Sequence, residues 1–134
     1  MSTGTSARVA DIMSRPVLTV ETGETLEDAW QLMFVSGLRH LVVLDDDGIP
    51  FGVLSDRAVL ADSPSTIDHW GNLLVRDALA RVPRGSNRPD STAQQAAHEM
   101  SHRAVEALPM TEEGGKLVGI LTESDVVRWV GTAA

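Results

Sequence analysis

The sequence predicts an α/β (α+β) chain made of two tandem β-α-β-β-α units. Three observations predict it: the chain repeats against itself, strand and helix periodicities follow in the same order in each copy, and one copy alone is too small to be stable. A shift of 67 residues brings Pro16 onto Pro83, Thr25 onto Thr92, Ala29 onto Ala96, Met33 onto Met100 and Leu41 onto Leu108. The match runs on without a gap through Gly48 and Gly115, Gly52 and Gly119, Leu54 and Leu121, and Ser55 and Thr122. Upstream, Val9-Ala10-Asp11-Ile12-Met13 matches Val75-Arg76-Asp77-Ala78-Leu79 one residue out of step. A lone unit of about 60 residues leaves much of its apolar surface wet, so the copies are expected to pack on each other as one integrated pair. The boundaries read as a flexible tail over 1–7, a first unit over 8–62, a Ser-, Pro- and Asp-rich linker over 63–72 and a second unit over 73–131.

In the first unit, Val17, Leu18 and Val20 suggest a short strand, and Leu26, Ala29, Trp30 and Met33 then recur at helical spacing. Thr25 is placed to cap that helix. Its counterpart Thr92 is better placed, because Gln95 three residues on completes a capping box. Leu41–Leu44 and Phe51–Leu54 are apolar runs around Asp45-Asp46-Asp47-Gly48, a turn composition, and so predict a β-hairpin. Leu108–Met110 and Leu117–Leu121 repeat the hairpin around Gly114-Gly115. Ser55 and Thr122 stand where a closing helix begins in each unit.

Composition narrows the partners. Acidic residues outnumber basic ones 19 to 11, for a net charge of −8, which disfavours a nucleic-acid surface. With no cysteine in the chain, disulfide and thiolate chemistry are excluded and a cytoplasmic protein is expected. No apolar run approaches the ~18 residues of a membrane span, so no membrane partner is expected. A small anion remains compatible with the charge, since a helix N-terminus and a few arginines can make a local positive pocket.

Two tandem units, each ending in Gly, two apolar residues, Ser or Thr, two variable residues and then a position suited to Asp, resemble a cystathionine-β-synthase (CBS) domain pair, or Bateman module. Val9-Ala10-Asp11-Ile12-Met13 before Pro16 and Ala107-Leu108-Pro109-Met110 before the Gly-containing turn carry the same likeness, which covers residues 8–130. The resemblance implies units related by pseudo-twofold symmetry with their sheets packed together. It also implies a regulatory module and not an enzyme, an adenosine-containing ligand such as AMP, ADP, ATP or S-adenosylmethionine in the cleft between units, no required cofactor, a homodimer and a client protein of unknown identity.

The second unit fits that chemistry at Thr122-Glu123-Ser124-Asp125. The hydroxyls of Thr122 and Ser124 can donate to phosphate oxygens at a helix N-terminus, and the Asp125 carboxylate can accept from both hydroxyls of a ribose. The same Thr-x-x-Asp pattern also caps an ordinary helix, and both readings stand at this point. In the first unit, Ser55 keeps the hydroxyl but Ala58 stands where the ribose acceptor belongs. By the resemblance, the strand facing the base comes from the opposite unit: Val17, Leu18 and Thr19 would serve Asp125, whereas Arg84-Gly85-Ser86 gives the Ala58 site no apolar walls. Arg39 and His40 occupy positions where family members often contact phosphate, with Arg84 and Arg88 as weaker candidates. One competent composite site is therefore expected beside one degraded site.

His98-Glu99-Met100-Ser101-His102 spells the H-E-x-x-H of zinc hydrolases. The repeat maps it onto a core helix whose apolar stripe is Ala93, Ala96, Ala97, Met100 and Ala104, leaving both histidines off the stripe and facing solvent. No metal site is expected there. The main alternative is a dimerisation or protein-interaction module that has lost its ligand.

Overall fold

The computed structural model describes residues 7–61, 73–81 and 88–132. Residues 1–6 of the tail expected over 1–7, the linker over 63–72 and the Arg84-Gly85-Ser86 segment lie outside the described residues. A short helix α1 (Val9–Ile12) precedes β1 (Thr19–Glu21), α2 (Leu26–Ser36), β2 (His40–Leu44), β3 (Pro50–Ser55) and α3 (Asp56–Ala61). After a 3-10 turn at Val75–Asp77 come β4 (Ala80–Arg81), α4 (Ala93–Arg103), β5 (Ala107–Thr111), β6 (Leu117–Thr122) and α5 (Glu123–Thr132). The predicted helix-strand-strand-helix order is given twice, as α2-β2-β3-α3 and α4-β5-β6-α5; β4 answers the Ser14 segment of the first repeat and not β1, whose repeat counterpart falls at 86–88.

Local chemistry accounts for the boundaries. Thr25 Oγ1 accepts from the Asp28 N–H at 3.1 Å and starts α2. Thr92 and Gln95 form the full reciprocal box that starts α4. Both helices end in a left-handed residue, Gly37 at φ 76° and its counterpart Ala104 at φ 55°. Ala104 is exposed, at the end of the α4 stripe and outside the core. In the β2–β3 hairpin Asp45 Oδ1 accepts from the N–H groups of Asp47 and Ile49, fixing the turn that its composition predicted.

The chain folds into two compact bodies, one formed by Leu18–Pro83 and the other by Met1–Val17 with Arg84–Ala134. The sequence repeat and the bodies thus divide the chain differently at their leading segments. In the first body, β1 pairs parallel with β2, and β2–β3–β4 are antiparallel, in an open sheet ordered β1-β2-β3-β4. In the second, β5 and β6 form an antiparallel pair, and Ser14 bridges to Ile120 on the outer edge of β6. The repeat relates these edges: Ser14 stands to Ile120 as Ala80 stands to Val53. The bridge Arg8–Thr92 likewise answers Thr25–Leu74.

Each body closes around its own core. Leu26, Ala29, Met33, Leu41, Leu54 and Val59 pack with Val75 in the first, and Ala96, Met100, Leu108, Met110 and Leu121 pack with Val9 in the second. Val9 and Val75 are repeat equivalents, both fully buried. The leading segment of each repeat is therefore a core element of the body built from the other repeat. Among the described residues no helix is long and apolar enough to cross a membrane.

Candidate functional site

Strand β6 ends at Thr122 and α5 starts at once, so the first N–H groups of the helix need acceptors. Thr122 Oγ1 accepts from the Asp125 N–H at 3.2 Å, and Asp125 Oδ2 accepts from the Thr122 N–H at 3.0 Å. Thr-x-x-Asp is thus a reciprocal helix cap, as one of the two sequence readings held. It is also more than a cap, because Asp125 is only 2% exposed and draws two further donors. Ser14 Oγ donates to Oδ1 at 2.9 Å and Oδ2 at 3.1 Å, and Arg128 Nη1 approaches Oδ1 at 3.2 Å. A carboxylate buried this deeply needs such compensation.

Ser14 is aimed by backbone pairing. Its N–H donates to the Ile120 carbonyl at 2.8 Å, and the Ile120 N–H donates back to the Ser14 carbonyl at 3.1 Å. Gly119 makes room for this segment, since a Cβ there would lie 2.5 Å from Met13 Sδ. The outcome is a fixed carboxylate at a helix N-terminus, with a hydroxyl on either side. A carboxylate with open acceptor positions can accept hydrogen bonds from a vicinal diol.

The equivalent place in the other body is simpler. Ser55 Oγ accepts from the Ala58 N–H at 3.0 Å, and Ala58 has nothing to return. Asp56 does not substitute, because its Oδ1 accepts from the N–H of Arg57. The Arg39 carbonyl accepts from the Asp56 N–H at 2.9 Å, as Glu106 does for Glu123. His40, half-buried, pairs with Ser55 across β2–β3. Arg39 and His40 therefore stand beside the Ser55–Ala58 helix start in their own body.

The remaining predicted residues fall as follows. Val17 is half-buried at the end of its segment, Leu18 packs partly buried on the first core, and Thr19 is exposed on β1 opposite Val42. Ser124 is exposed on the first turn of α5. Arg88 lies near Asp90, at 3.6 Å. Sequence reasoning missed Ser14 and Arg128. A signal for Ser14 was present, because the offset that pairs Val9 with Val75 pairs Ser14 with Ala80, and Asp125 pairs with Ala58.

On α4, His98 and His102 are exposed with their rings parallel and centroids 6.2 Å apart. Glu99 is engaged by the Arg103 guanidinium, whose hydrogen bond holds its carboxyl below the ordinary glutamate range. A glutamate so paired is poorly placed to act as a hydrolytic base. Among the described residues no three His, Cys, Asp or Glu side chains gather where they could hold a metal ion.

The CBS domain family model matches residues 9–64 and 88–132. The chain belongs to the CBS domain family. The match gives one CBS unit per sequence repeat, and the helix starts at Ala58 and Asp125 fall near the end of each matched stretch. Among curated relatives, homoserine O-acetyltransferase of Methanohalophilus mahii is 34% identical over 123 residues, 92% of this chain and 24% of that protein. The chain thus spans about a quarter of the length of that relative. Among solved structures, CBSX2 of Arabidopsis thaliana in complex with AMP is 28% identical, with a TM-score of 0.75 over 92% of this chain and 96% of that one. The CBS domain pair of protein MJ0100, in complex with 5′-methylthioadenosine and S-adenosyl-L-methionine, shares the fold at 20% identity and a TM-score of 0.78, over 96% of this chain and 98% of that one.

Proposed function

We propose that this CBS pair is a regulatory module that senses an adenosine-containing ligand through one competent half-site, centred on Thr122 and Asp125. The observation that carries the reading is the asymmetry of the two helix starts. Asp125 is a buried carboxylate held by Ser14 and Thr122, and the other unit has Ala58 in its place. The AMP-bound CBSX2 structure supports an adenosine nucleotide as the ligand class. In this proposal Thr122 and Ser124 face the phosphate and Asp125 accepts from the ribose, whereas Arg39 and His40 belong beside the Ser55–Ala58 helix start of the other body. Binding then biases one arrangement of the module over another, which a client protein reads.

Isothermal titration against AMP, ADP, ATP, NAD and S-adenosylmethionine tests the reading. At least one should bind below millimolar, and Asp125→Ala should abolish it. Absence of binding across the panel, or equal binding by Asp125→Ala, would sink the proposal.

A second reading, a protein-interaction or dimerisation module, is favoured by one observation. Phe34 and Val35 on α2 and Val127 and Val130 on α5 are 80%, 84%, 70% and 61% exposed, more than singly scattered surface apolar residues require. Dimerisation and melting temperature indifferent to every nucleotide would favour it over the first.

A further inference from the structure

We propose that Arg128 guards Asp125: its guanidinium occupies the acceptor that a sugar diol needs, and a ligand enters by displacing it. The inference rests on reading Asp125 as the ribose acceptor, and adds which residue sets the threshold for reaching it. A carboxylate offers about four acceptor positions, two on each oxygen. On Asp125, Oδ1 receives Ser14 and Arg128, while Oδ2 receives the Thr122 N–H and shares the Ser14 proton. A vicinal diol brings two donors and places one on each oxygen, so Oδ1 accommodates it only when a present donor leaves.

The three donors differ in how readily they leave. The Thr122 N–H is half of the cap that starts α5. Ser14 is half-buried and fixed by two backbone hydrogen bonds to Ile120. The Arg128 side chain is 67% exposed although its partner carboxylate is 1% exposed. On release its guanidinium regains water with little rearrangement, so it is the donor whose departure costs least. The first unit carries no such guard, because the repeat equivalent of Arg128 is Ala61 and that of Asp125 is Ala58.

Titration calorimetry with adenosine and with AMP tests this on wild type, Arg128→Met, Arg128→Lys and Asp125→Ala. Methionine keeps the stem and the helix propensity at an exposed position, and a melting curve confirms the fold. Removing the guard should tighten binding of both ligands by roughly five-fold, the worth of one partly exposed ion pair, and Arg128→Lys should fall between. Binding that Asp125→Ala abolishes but Arg128→Met leaves unchanged or weakens would overturn the guard and leave the ribose reading standing. Weakening confined to AMP would make Arg128 a phosphate contact instead. Binding by none of the proteins, or equal binding by Asp125→Ala, would remove both.

Discussion

The two helix starts, Thr122–Asp125 and Ser55–Ala58, are the same device in two states. Both begin α-helices directly from the end of a hairpin strand, and both use a hydroxyl to accept from the N–H three residues on. They differ at two positions far apart in the chain, which in one body meet as Ser14 and Asp125. One body has Ser14 on the strand edge and Asp125 on the helix, and the other has Ala80 and Ala58 at those places. Each pair is self-consistent, because a buried carboxylate is stable with donors around it and costly without them. In the proposed function the ribose acceptor is therefore not a single residue. It is a carboxylate together with the segment that brings its donor.

Removing the carboxylate tests the comparison hardest. Asp125→Ala loses the return half of the cap and leaves the Ser14 hydroxyl without its acceptor, so stability should fall by about 2–3 kcal/mol, read from urea unfolding. A change within 0.5 kcal/mol of wild type, on the order of an ordinary surface substitution, would mean that the Asp125 network contributes nothing. The next effect is a coupling. Building the missing pair into the first unit, Ala58→Asp with Ala80→Ser, should give a double variant more stable than the sum of the singles by about 1 kcal/mol. Strict additivity would show that the two places do not face each other as Ser14 and Asp125 do.

A smaller effect concerns the ends of the preceding helices. Gly37 adopts its left-handed conformation without strain, whereas Ala104 at φ 55° does not. Ala104→Gly should therefore stabilise by roughly 0.5–1 kcal/mol, seen as a raised melting temperature. The smallest lies on α4, where Glu99 and Arg103 replace the Leu32 and Ser36 of α2. The Arg103 hydrogen bond lowers the Glu99 carboxyl below its ordinary value. The pair's contribution is thus present above that ordinary value and lost as pH falls through the lowered one. In an NMR titration, Arg103→Met should move the Glu99 midpoint upward.

Much of the fold was legible in the sequence because its signals are local. Thr92 with Gln95 announces a capping box, Asp45 through Gly48 a turn, and the alternation of stripe and run the order of elements. The 67-residue offset then says that everything happens twice. The leading segments were not legible in the same way. A repeat states that Val9 resembles Val75, but not which copy's core each one fills, since that choice is made by the path of the chain between units. For the same reason Thr122 and Asp125 could be named as a capping pair from spacing, and as ligand candidates through the family resemblance, while Ser14, 111 residues from its partner, could not. Arg128 escaped notice because an arginine on the outer turn of a terminal helix looks like any solvated charge until its carboxylate partner is found to be buried.

The proposed function makes one half-site of the pair competent and the other not. The stoichiometry of AMP binding, measured by calorimetry on wild type, Asp125→Ala and Ser55→Ala, tests it most directly. One AMP should bind per chain, lost in Asp125→Ala and retained in Ser55→Ala. Two AMP per chain, or one that survives Asp125→Ala and disappears with Ser55→Ala, would contradict it.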